Sequence, residues 1–491
     1  MPPSPTRIFV PTGPYRTVIQ QVATDPVDFL AAFSGSPRGF WGCGDRWVAW
    51  AGELARIRIP GTGTHATGTH AEVGSGSASP GHPSSRFDAV RVAASRTFGE
   101  IGVSPLRGGA GLPLRFFGGF AFLADGPEGE GWKGFPSAVF ILPRFVLERR
   151  DGAVSLFGAA DPGDLPELGR RGRIGSDPGF GSHAGPGSGA EDDSSGSMVE
   201  VLTRLGSGKG EASVRPRWED GVRRVLEAIR RGSLEKAVLA RFLDVRFRRE
   251  VDVPGALGFL RNENPRAHVF LFEPEAGRPF LGAAPELLAG LRSGRFEATA
   301  VAGSMARAAD PFEDVRRIER LRVSFKDRAE HRVTVEDMVE VLRPHLAQME
   351  VGAEPAVLTL ARIHHLETLI RGVADPAADI LGLVEALHPT PAVCGRPRAA
   401  ALELIRSAEP FDRGWYAGPI GWFDANGDGE FVPALRSAVG GGTDWRLYAG
   451  AGIVDGSEPD AEWEETALKF EPALRALMSG AGELPGIGER S

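Results

Sequence analysis

The sequence predicts an α+β protein in which strands and helices are mixed without regular alternation. Short runs rich in aromatic and β-branched residues, such as FFGGFAFL (116–123) and SAVFILPRFVLER (137–149), are typical of strands bounded by turns. Longer stretches such as 218–231 place apolar residues three and four positions apart, which is typical of amphipathic helices. Because the two kinds of segment do not alternate strictly, a layered α+β fold is favoured over a parallel β/α sheet.

The carboxy-terminal half carries the most regular pattern. A helix over 218–231 is followed by the strand-like runs AVLARFLDVRF, HVFLFEP, FLGAAPELLAGL and RFEATAVAG. Residues 311–349 are predicted as an interrupted helix, and residues 357–387 as a second helix-rich stretch. The runs YAGPIGWF, EFVPALRSAV and RLYAGAGIV are separated by the turn-forming segments DANGDG and GGGTDW, so they predict an antiparallel meander. A final helix is expected over 460–478.

Two stretches, at about 60–85 and 169–215, are rich in Gly, Ser and Pro and poor in apolar residues. Segments of this composition bury too little surface to offset the entropy of ordering the chain. They are therefore interpreted as insertions into the fold.

Composition and charge disfavour several classes of protein. The 491-residue chain has a formal charge of −8, and its arginines are dispersed among acids, which disfavours nucleic acid as a partner. No run of 18 apolar residues occurs, so no membrane span is expected. Cys43 and Cys394 form no CxxC pair, which disfavours a zinc finger or a disulfide framework. The start, MPPSPTRIFV, lacks the layout of a signal peptide, and a cytoplasmic location is expected.

Three glutamates are candidate metal ligands. Glu462 and Glu465 in EWEET lie three residues apart on one helical face, and Glu330 lies on another predicted helix. Carboxylate oxygens of this kind suit Mg²⁺. Taken singly, each is better explained as a surface acid, and Glu330 could instead pair with Lys326 one turn earlier.

Three further side chains interrupt apolar segments. Lys236 begins an apolar strand. If the side chain is buried there, loss of solvent would lower its pKa and allow it to act as a base. Alternatively, the side chain would simply reach from the end of the strand into water. Glu286 follows an apolar run and is either a buried acid with a raised pKa or the first-turn Glu of a helix. Arg436 needs an anion if it is buried, and either a substrate carboxylate or a structural one would serve.

Two glycine-containing segments, AGSMAR (302–307) and YAGAGIV (448–454), stand where strands are expected to turn. Glycine at such points lets main-chain N–H groups approach an anion closely.

One further motif resembles a calcium loop. Asp424, Asn426, Asp428 and Gly429 match the opening of an EF-hand, but position twelve is Leu435 where a bidentate Glu is required. The flanking segments also have the composition of strands. A plain hairpin turn is therefore the favoured interpretation.

The ordered motifs together resemble the chorismate-utilising enzymes: isochorismate synthases, salicylate synthases, and the large subunits of anthranilate and aminodeoxychorismate synthases. The matching pieces are KAVLAR, FLGAAPELL, AGSMAR, FKDRAEH, HHLET, LHPTPAVCG, YAGPIGW, ALRSA, YAGAGIV and SEPDAEWEETALK. In addition, FFGGFAFL and FPSAVFILPRF resemble the amino-terminal half of menaquinone-type isochorismate synthases. The resemblance implies one integrated α+β unit, a large two-sheet sandwich flanked by helices. Residues 1–214 would form its β-rich half, with the insertions, and residues 215–480 its chorismate-binding catalytic region.

The resemblance also implies a role for each matching residue. Lys236 matches the base that activates water, and Glu286 matches the general acid. Glu330 and Glu465 match ligands of Mg²⁺, with Glu462 close by. The positions that match substrate contacts are Gly303, Ser304, His388, Ala392, Tyr416, Arg436, Gly450, Gly452 and Lys469. Asp327 stands where many members carry Glu, so an auxiliary metal contact at this position stays open.

Three positions favour the water-using branch of the family. Members resembling anthranilate synthase lack a lysine at the position of Lys236 and carry a threonine at that of Ala392. Aminodeoxychorismate synthases place a nucleophilic lysine where this chain has Ala302. No glutamine amidotransferase motif occurs, so no such subunit is expected as a partner.

The resemblance therefore favours an isochorismate synthase, an isomerase that converts chorismate to isochorismate with Mg²⁺. Two alternatives stay open: a salicylate synthase, which goes on to release pyruvate, and a non-catalytic chorismate-binding protein. Menaquinone and siderophore biosynthesis are both compatible with the sequence, as are a monomer and a homodimer.

Overall fold

The computed structural model describes residues 17–61, 85–101, 114–127, 129–159 and 211–484. The two predicted insertions, at 60–85 and 169–215, lie almost entirely outside these ranges. Within the described residues, no helix is both long enough and apolar enough to cross a membrane.

The first sheet has eleven strands among the described residues, numbered here along the chain. In spatial order they are β1 (Thr17–Gln21), β8 (Ala153–Ala159), β7 (Phe145–Arg150), β3 (Arg46–Ala51), β2 (Arg38–Cys43), β10 (His268–Glu273), β11 (Phe280–Ala284), β20 (Ser437–Gly441), β21 (Asp444–Ile453), β9 (Lys236–Arg246) and β17 (Gly395–Arg396). The antiparallel pair β2–β10 joins the amino-terminal strands to those of the carboxy-terminal region.

The second sheet has ten strands in the described part of the chain. Its order is β14 (Leu346–Val351), β16 (Ile363–Ala374), β13 (Arg295–Ala306), β12 (Ala289–Arg292), β19 (Gly429–Pro433), β18 (Pro419–Asp424), β5 (Arg115–Phe120), β6 (Ala138–Leu142) and β4 (Ala55–Ile59), and β15 (Ala356–Thr359) also pairs with β16. Here the antiparallel pair β5–β18 again combines the two regions of the sequence.

Nine α-helices are described. They are α1 (Pro26–Ala32), α2 (Arg86–Glu100), α3 (Glu211–Arg230), α4 (Val253–Glu263), α5 (Pro311–Val323), α6 (Phe325–Leu342), α7 (Ile380–Leu387), α8 (Arg398–Ala408) and α9 (Pro459–Gly480), with a short 3₁₀ turn at Glu130–Trp132. Several begin at a side-chain cap: Ser324, for example, accepts a hydrogen bond from the N–H of Asp327 at the start of α6.

The core forms three layers, which follow from the alternation of side chains along each strand. On β5, Phe117 packs between the two sheets, whereas its neighbour Phe116 packs outward against helices α2 and α7. A third layer lies on the outer face of the first sheet, beneath α1, α4 and α9. The predicted α+β class, with two sheets flanked by helices, is confirmed.

The prediction of a helix-rich stretch over 357–387 is wrong for most of its length. Only α7 is helical there; β15 and β16 occupy the rest. The first residues of β16 are buried on both faces, which hides the alternation that marks a strand. β16 forms antiparallel pairs with β13, β14 and β15, so tertiary pairing decides its conformation.

The predicted terminal meander is divided between the sheets. β18 and β19 form a hairpin in the second sheet, and β20 and β21 form a hairpin in the first. Between β18 and β19, the Asp424 carboxylate accepts hydrogen bonds from the N–H groups of Asn426 and Asp428. The calcium-like motif is thus a hairpin turn, as expected.

Candidate active site

The passage of the chain from β19 to β20 places Arg436 in the space between the two sheets. Its backbone adopts a left-handed conformation, with φ of 50°, and its side chain is buried. Burial lowers the pKa of Arg436 to about 10, although Tyr416, Glu465 and Glu286 act in the opposite direction. The guanidinium is therefore still charged at neutral pH, and it is a strong site for an anion.

Arg436 faces a pocket that is bordered by both sheets and by helices α6 and α9. The pocket has an empty volume of about 620 Å³, including its mouth, which suits a small organic molecule. Its lining comprises Val238, Pro285, Glu286, Val301, Ala302, Gly303, Ser304, Glu330, His365, Ala392, Val393, Tyr416, Ala417, Leu435, Arg436, Tyr448, Ala449, Gly450, Gly452 and Lys469.

A hydrogen-bonded chain connects Arg436 to the bulged end of β13. Arg436 Nη2 donates to Nε2 of His365 over 2.8 Å, so the proton of this neutral imidazole is on Nδ1. His365 Nδ1 lies 3.1 Å from the carbonyl oxygen of Gly303 and 3.1 Å from Oγ of Ser304. Burial, followed by the charges of Arg436 and Lys469, holds the pKa of His365 well below its usual range.

Lys236, at the start of β9, lies behind Glu330, which lines the pocket, and is not itself among the lining residues. Its side chain is fully buried, and its Nζ lies 3.0 Å from Oε1 of Glu330 and 3.3 Å from Oγ1 of Thr334. Burial is the largest influence and would raise the pKa of Glu330, but the charge and hydrogen bond of Lys236, together with the charges of Lys469 and Lys326, outweigh it and hold that pKa below its ordinary value. Glu330 therefore pairs with Lys236 and not with Lys326, the other partner that the sequence allows.

Glu286 lies in the turn between β11 and β12 rather than in a helix. It is buried and lines the pocket. Burial raises its pKa to about 8, against the opposing charges of Lys236, Lys469 and Arg436. At neutral pH most of this carboxyl is protonated, so Glu286 is equipped to donate a proton.

Each of the three predicted metal-binding glutamates is held by a lysine. Glu330 pairs with Lys236, Glu465 with Lys469 at 2.6 Å, and Glu462 with Lys326. Burial, followed by the charge of Glu465, raises the pKa of Glu462 to about 7. Among the described residues, no three His, Cys, Asp or Glu side chains converge closely enough to hold a metal ion.

All three carboxylates nevertheless stabilise the positive charge of Lys326. Burial disfavours the ammonium form of Lys326, but Glu462, Glu465 and Glu330 together outweigh it and raise its pKa. Three carboxylates that stabilise a cation in this way are suited to bind Mg²⁺, which prefers oxygen ligands.

The remaining predicted contacts divide into two groups. Gly303, Ser304, Ala392, Tyr416, Gly450, Gly452 and Lys469 all line the pocket. His388 does not: its Nε2 lies 3.0 Å from the carbonyl oxygen of Phe122, and burial lowers its pKa to about 3. The structure thus places His388 behind the pocket wall, as a neutral ring.

Comparison with known proteins agrees with this arrangement. Residues 198–478, more than half of the chain, match the family model described as chorismate binding enzyme. A Pseudomonas aeruginosa protein, named salicylate biosynthesis isochorismate synthase, is 36% identical over 393 residues, which cover 77% of this chain and 76% of that relative. The chain belongs to the chorismate-binding enzyme family.

Solved structures of this enzyme family extend the likeness over nearly the whole fold. The Bacillus anthracis protein described as a 2,3-dihydroxybenzoate-specific isochorismate synthase, DhbC, has a TM-score of 0.65 at 27% identity and covers 90% of this chain and 96% of its own. The menaquinone-specific isochorismate synthase MenF of Escherichia coli has a TM-score of 0.67 at 23% identity, with 96% of each chain covered, which shows the shared fold.

In this chorismate-binding enzyme, His365 is a polar pocket residue to which the sequence pattern assigns no role. It belongs to the motif HHLET, whose sequence alone predicts no role for either histidine. A histidine pair inside an apolar run was the available signal. Which of the two faces the pocket depends on the register of β16 against β13, where Ser304 lies opposite His365.

Gly452 lies close to the Lys236–Glu330 ion pair, so a substitution at this glycine tests whether the enzyme uses that pair. A Cβ at Gly452 would lie 2.0 Å from Oε1 of Glu330 and 3.0 Å from Cε of Lys236. We expect Gly452→Ala to displace both side chains and to lower kcat/KM by about 10–100-fold, as misplacement near 1 Å does. Thermal unfolding should change little, because flexible side-chain ends can move.

The matched control for Gly452→Ala is Gly99→Ala in α2, where a Cβ would meet no atom within 4 Å. Activity equal to wild type in both variants would show that the Lys236–Glu330 pair is not used.

Proposed function

We propose that the protein is an isochorismate synthase, which adds water at C2 of chorismate and removes the hydroxyl group at C4. The observation that carries the proposal is a buried amine, Lys236, held beside the pocket by Glu330, together with a buried carboxyl of raised pKa, Glu286, that lines the pocket. Lys236 would be the base and Glu286 the acid. The P. aeruginosa and B. anthracis proteins, both named as isochorismate synthases, support this choice within the family.

Arg436 would bind a carboxylate of chorismate. It is the buried guanidinium of the pocket, and its contact with His365 fixes the direction of its remaining N–H groups. The aromatic side of the pocket is formed by Tyr416, which stacks on Tyr448 with ring centroids 5.2 Å apart. These groups would hold the ring while water attacks.

In the proposed reaction, Lys236 takes a proton from the water that attacks C2, and Glu286 gives a proton to the hydroxyl leaving C4. The ring double bonds shift between the two carbons, so the products are isochorismate and water. A proton must afterwards return from Lys236 to Glu286, because the overall change is an isomerisation. Only a free amine accepts a proton, so the reaction also requires that Glu330 release its hold on the ammonium of Lys236.

Glu330 and Glu465, with Glu462 beside them, would hold Mg²⁺. When bound, the metal supplies a Lewis acid that neutralises a carboxylate of the substrate and favours the shift of electrons in the ring. With the site filled, Glu330, Glu462 and Glu465 would no longer need their lysine partners as counter-ions.

The proposal is tested by incubating the purified protein with chorismate, with Mg²⁺ or with a chelator, and separating the products by liquid chromatography against standards. We expect isochorismate with Mg²⁺ and unchanged chorismate with the chelator.

Salicylate and pyruvate as products would assign the protein to the lyase branch instead. Unchanged chorismate under every condition would identify a binding protein without this activity. Isochorismate formed equally well in the chelator would remove the metal from the proposal.

A further inference from the structure

The Asp327 carboxylate, near the start of α6, binds the backbone of the pocket wall. Its Oδ1 accepts a hydrogen bond from the N–H of Ser304 over 3.1 Å. Its Oδ2 accepts from the hydroxyl of Ser324, which in turn caps α6 through the N–H of Asp327. Both carboxylate oxygens are therefore engaged by groups of the protein that carry no positive charge.

The segment that Asp327 holds is irregular. The β13–β16 pairing shifts register between Ala302 and Ser304, and Gly303 has φ of 77°. A Cβ at Gly303 would lie 3.0 Å from Cβ of Asp327, so the bulge is packed directly against α6. A bulge lacks a regular ladder partner at this point, and the Asp327 carboxylate supplies an acceptor for the N–H that follows it.

The bulge in turn positions the groups that face the substrate. The Gly303 carbonyl and the Ser304 hydroxyl both contact Nδ1 of His365, and Nε2 of His365 accepts from Arg436. A continuous path of hydrogen bonds thus leads from Asp327 through Ser304 and His365 to the guanidinium in the pocket.

Asp327 differs from the three glutamates in the groups that its carboxylate binds. Glu330, Glu462 and Glu465 are each paired with a lysine, a cation that another cation can replace. The shorter side chain of Asp327 instead binds an N–H and a hydroxyl. Exchanging these for a metal would leave the Ser304 amide without its acceptor.

We propose that Asp327 is a positioning residue for the Gly303–Ser304 bulge, and through it for His365 and Arg436, and that it is not a ligand of the metal. The inference rests on the proposed function for its kinetic consequence, but the positioning itself is a property of the fold.

The test compares Asp327→Ala with Asp327→Asn. Asparagine can still accept from the Ser304 N–H through its oxygen and donate to Ser324 through its nitrogen, but it provides no carboxylate for a metal. Asp310→Ala is the matched control, because the Asp310 carboxylate likewise caps a helix, accepting from the N–H of Glu313 at the start of α5.

Hydrogen exchange followed by mass spectrometry measures the positioning directly. Peptides covering 302–306 should exchange faster in Asp327→Ala and at the wild-type rate in Asp327→Asn and Asp310→Ala. An unchanged rate in Asp327→Ala would overturn the proposal. This arm does not require turnover, so it remains decisive even if the wild-type protein proves inactive on chorismate.

Binding of Mg²⁺, measured by isothermal titration calorimetry, and kinetics complete the test. We expect wild-type Mg²⁺ affinity in Asp327→Asn, and a loss of kcat/KM of up to about 100-fold in Asp327→Ala that the Asn variant largely restores. A weaker affinity for Mg²⁺ in Asp327→Asn, equal to that in Asp327→Ala, would make Asp327 a metal ligand and overturn the inference.

Discussion

Replacement of Lys236 by alanine is expected to lower kcat/KM for chorismate by about 10²–10⁴-fold, the contribution that a positioned general base makes. Lys236 is fully buried at the start of β9, and its amine is the basic group nearest to Glu330 in the proposed reaction. Without it, the proposed reaction loses the amine that takes the proton from water. Steady-state turnover, measured by chromatography of isochorismate, gives the loss directly.

A second variant separates the base from the charge. Lys236→Arg keeps a cation beside Glu330, but a guanidinium remains protonated and accepts no proton. If Lys236 is the base, both variants should lose kcat/KM by about 10²–10⁴-fold. If arginine restores most of the activity, Lys236 serves only as the counter-ion of Glu330.

The fold of the Lys236 variants has to be checked independently. Lys236→Ala leaves the Glu330 carboxylate without its counter-ion, and loss of one partner of a buried pair destabilises a protein. Thermal unfolding and circular dichroism should therefore be recorded for both variants. The arginine variant keeps the pair, but its larger side chain replaces a fully buried lysine, so a loss of stability of about 1–3 kcal/mol is expected from overpacking, less than a lost buried pair would cost.

The sequence predicts which residues belong to this site better than it predicts where their side chains lie. Lys236 could be found because it begins an apolar strand, and Arg436 because it interrupts one. That Arg436 lies between the sheets could not be predicted, because the segment EFVPALRSAV reads as a single strand. In the structure it is divided into β19 and β20, which belong to different sheets.

Contacts between distant segments explain the remaining differences. The chain from Asp327 through Ser304 to His365 joins α6, β13 and β16, and no local pattern encodes it. The motif containing His388 was matched to the substrate site, yet this ring contacts the Phe122 carbonyl behind the wall. Adjacency in a motif predicts that a residue lies near the site, but the direction of its side chain depends on packing.

Replacement of Glu286 by glutamine is expected to lower kcat/KM by about 10²–10⁴-fold, because glutamine cannot donate the proton that the leaving hydroxyl needs. In the wild type, burial raises the pKa of Glu286 to about 8. The acid is therefore present at neutral pH and lost as the pH rises, so kcat/KM should fall above about pH 8. The residual activity of Glu286→Gln should lack this decrease, which a pH series measures.

Stability gives an independent measure of the same group. The pKa of Glu286 is higher in the folded protein, at about 8, than the ordinary value of 4.5. The protonated form thus favours folding, and this contribution is complete below about pH 4.5 and is lost as the pH rises through 8. Glutamine does not ionise, so the Tm of Glu286→Gln relative to wild type should increase between pH 5 and pH 9. Parallel Tm curves for the two proteins would mean that Glu286 is already ionised at neutral pH, and Glu286 would then not be the acid.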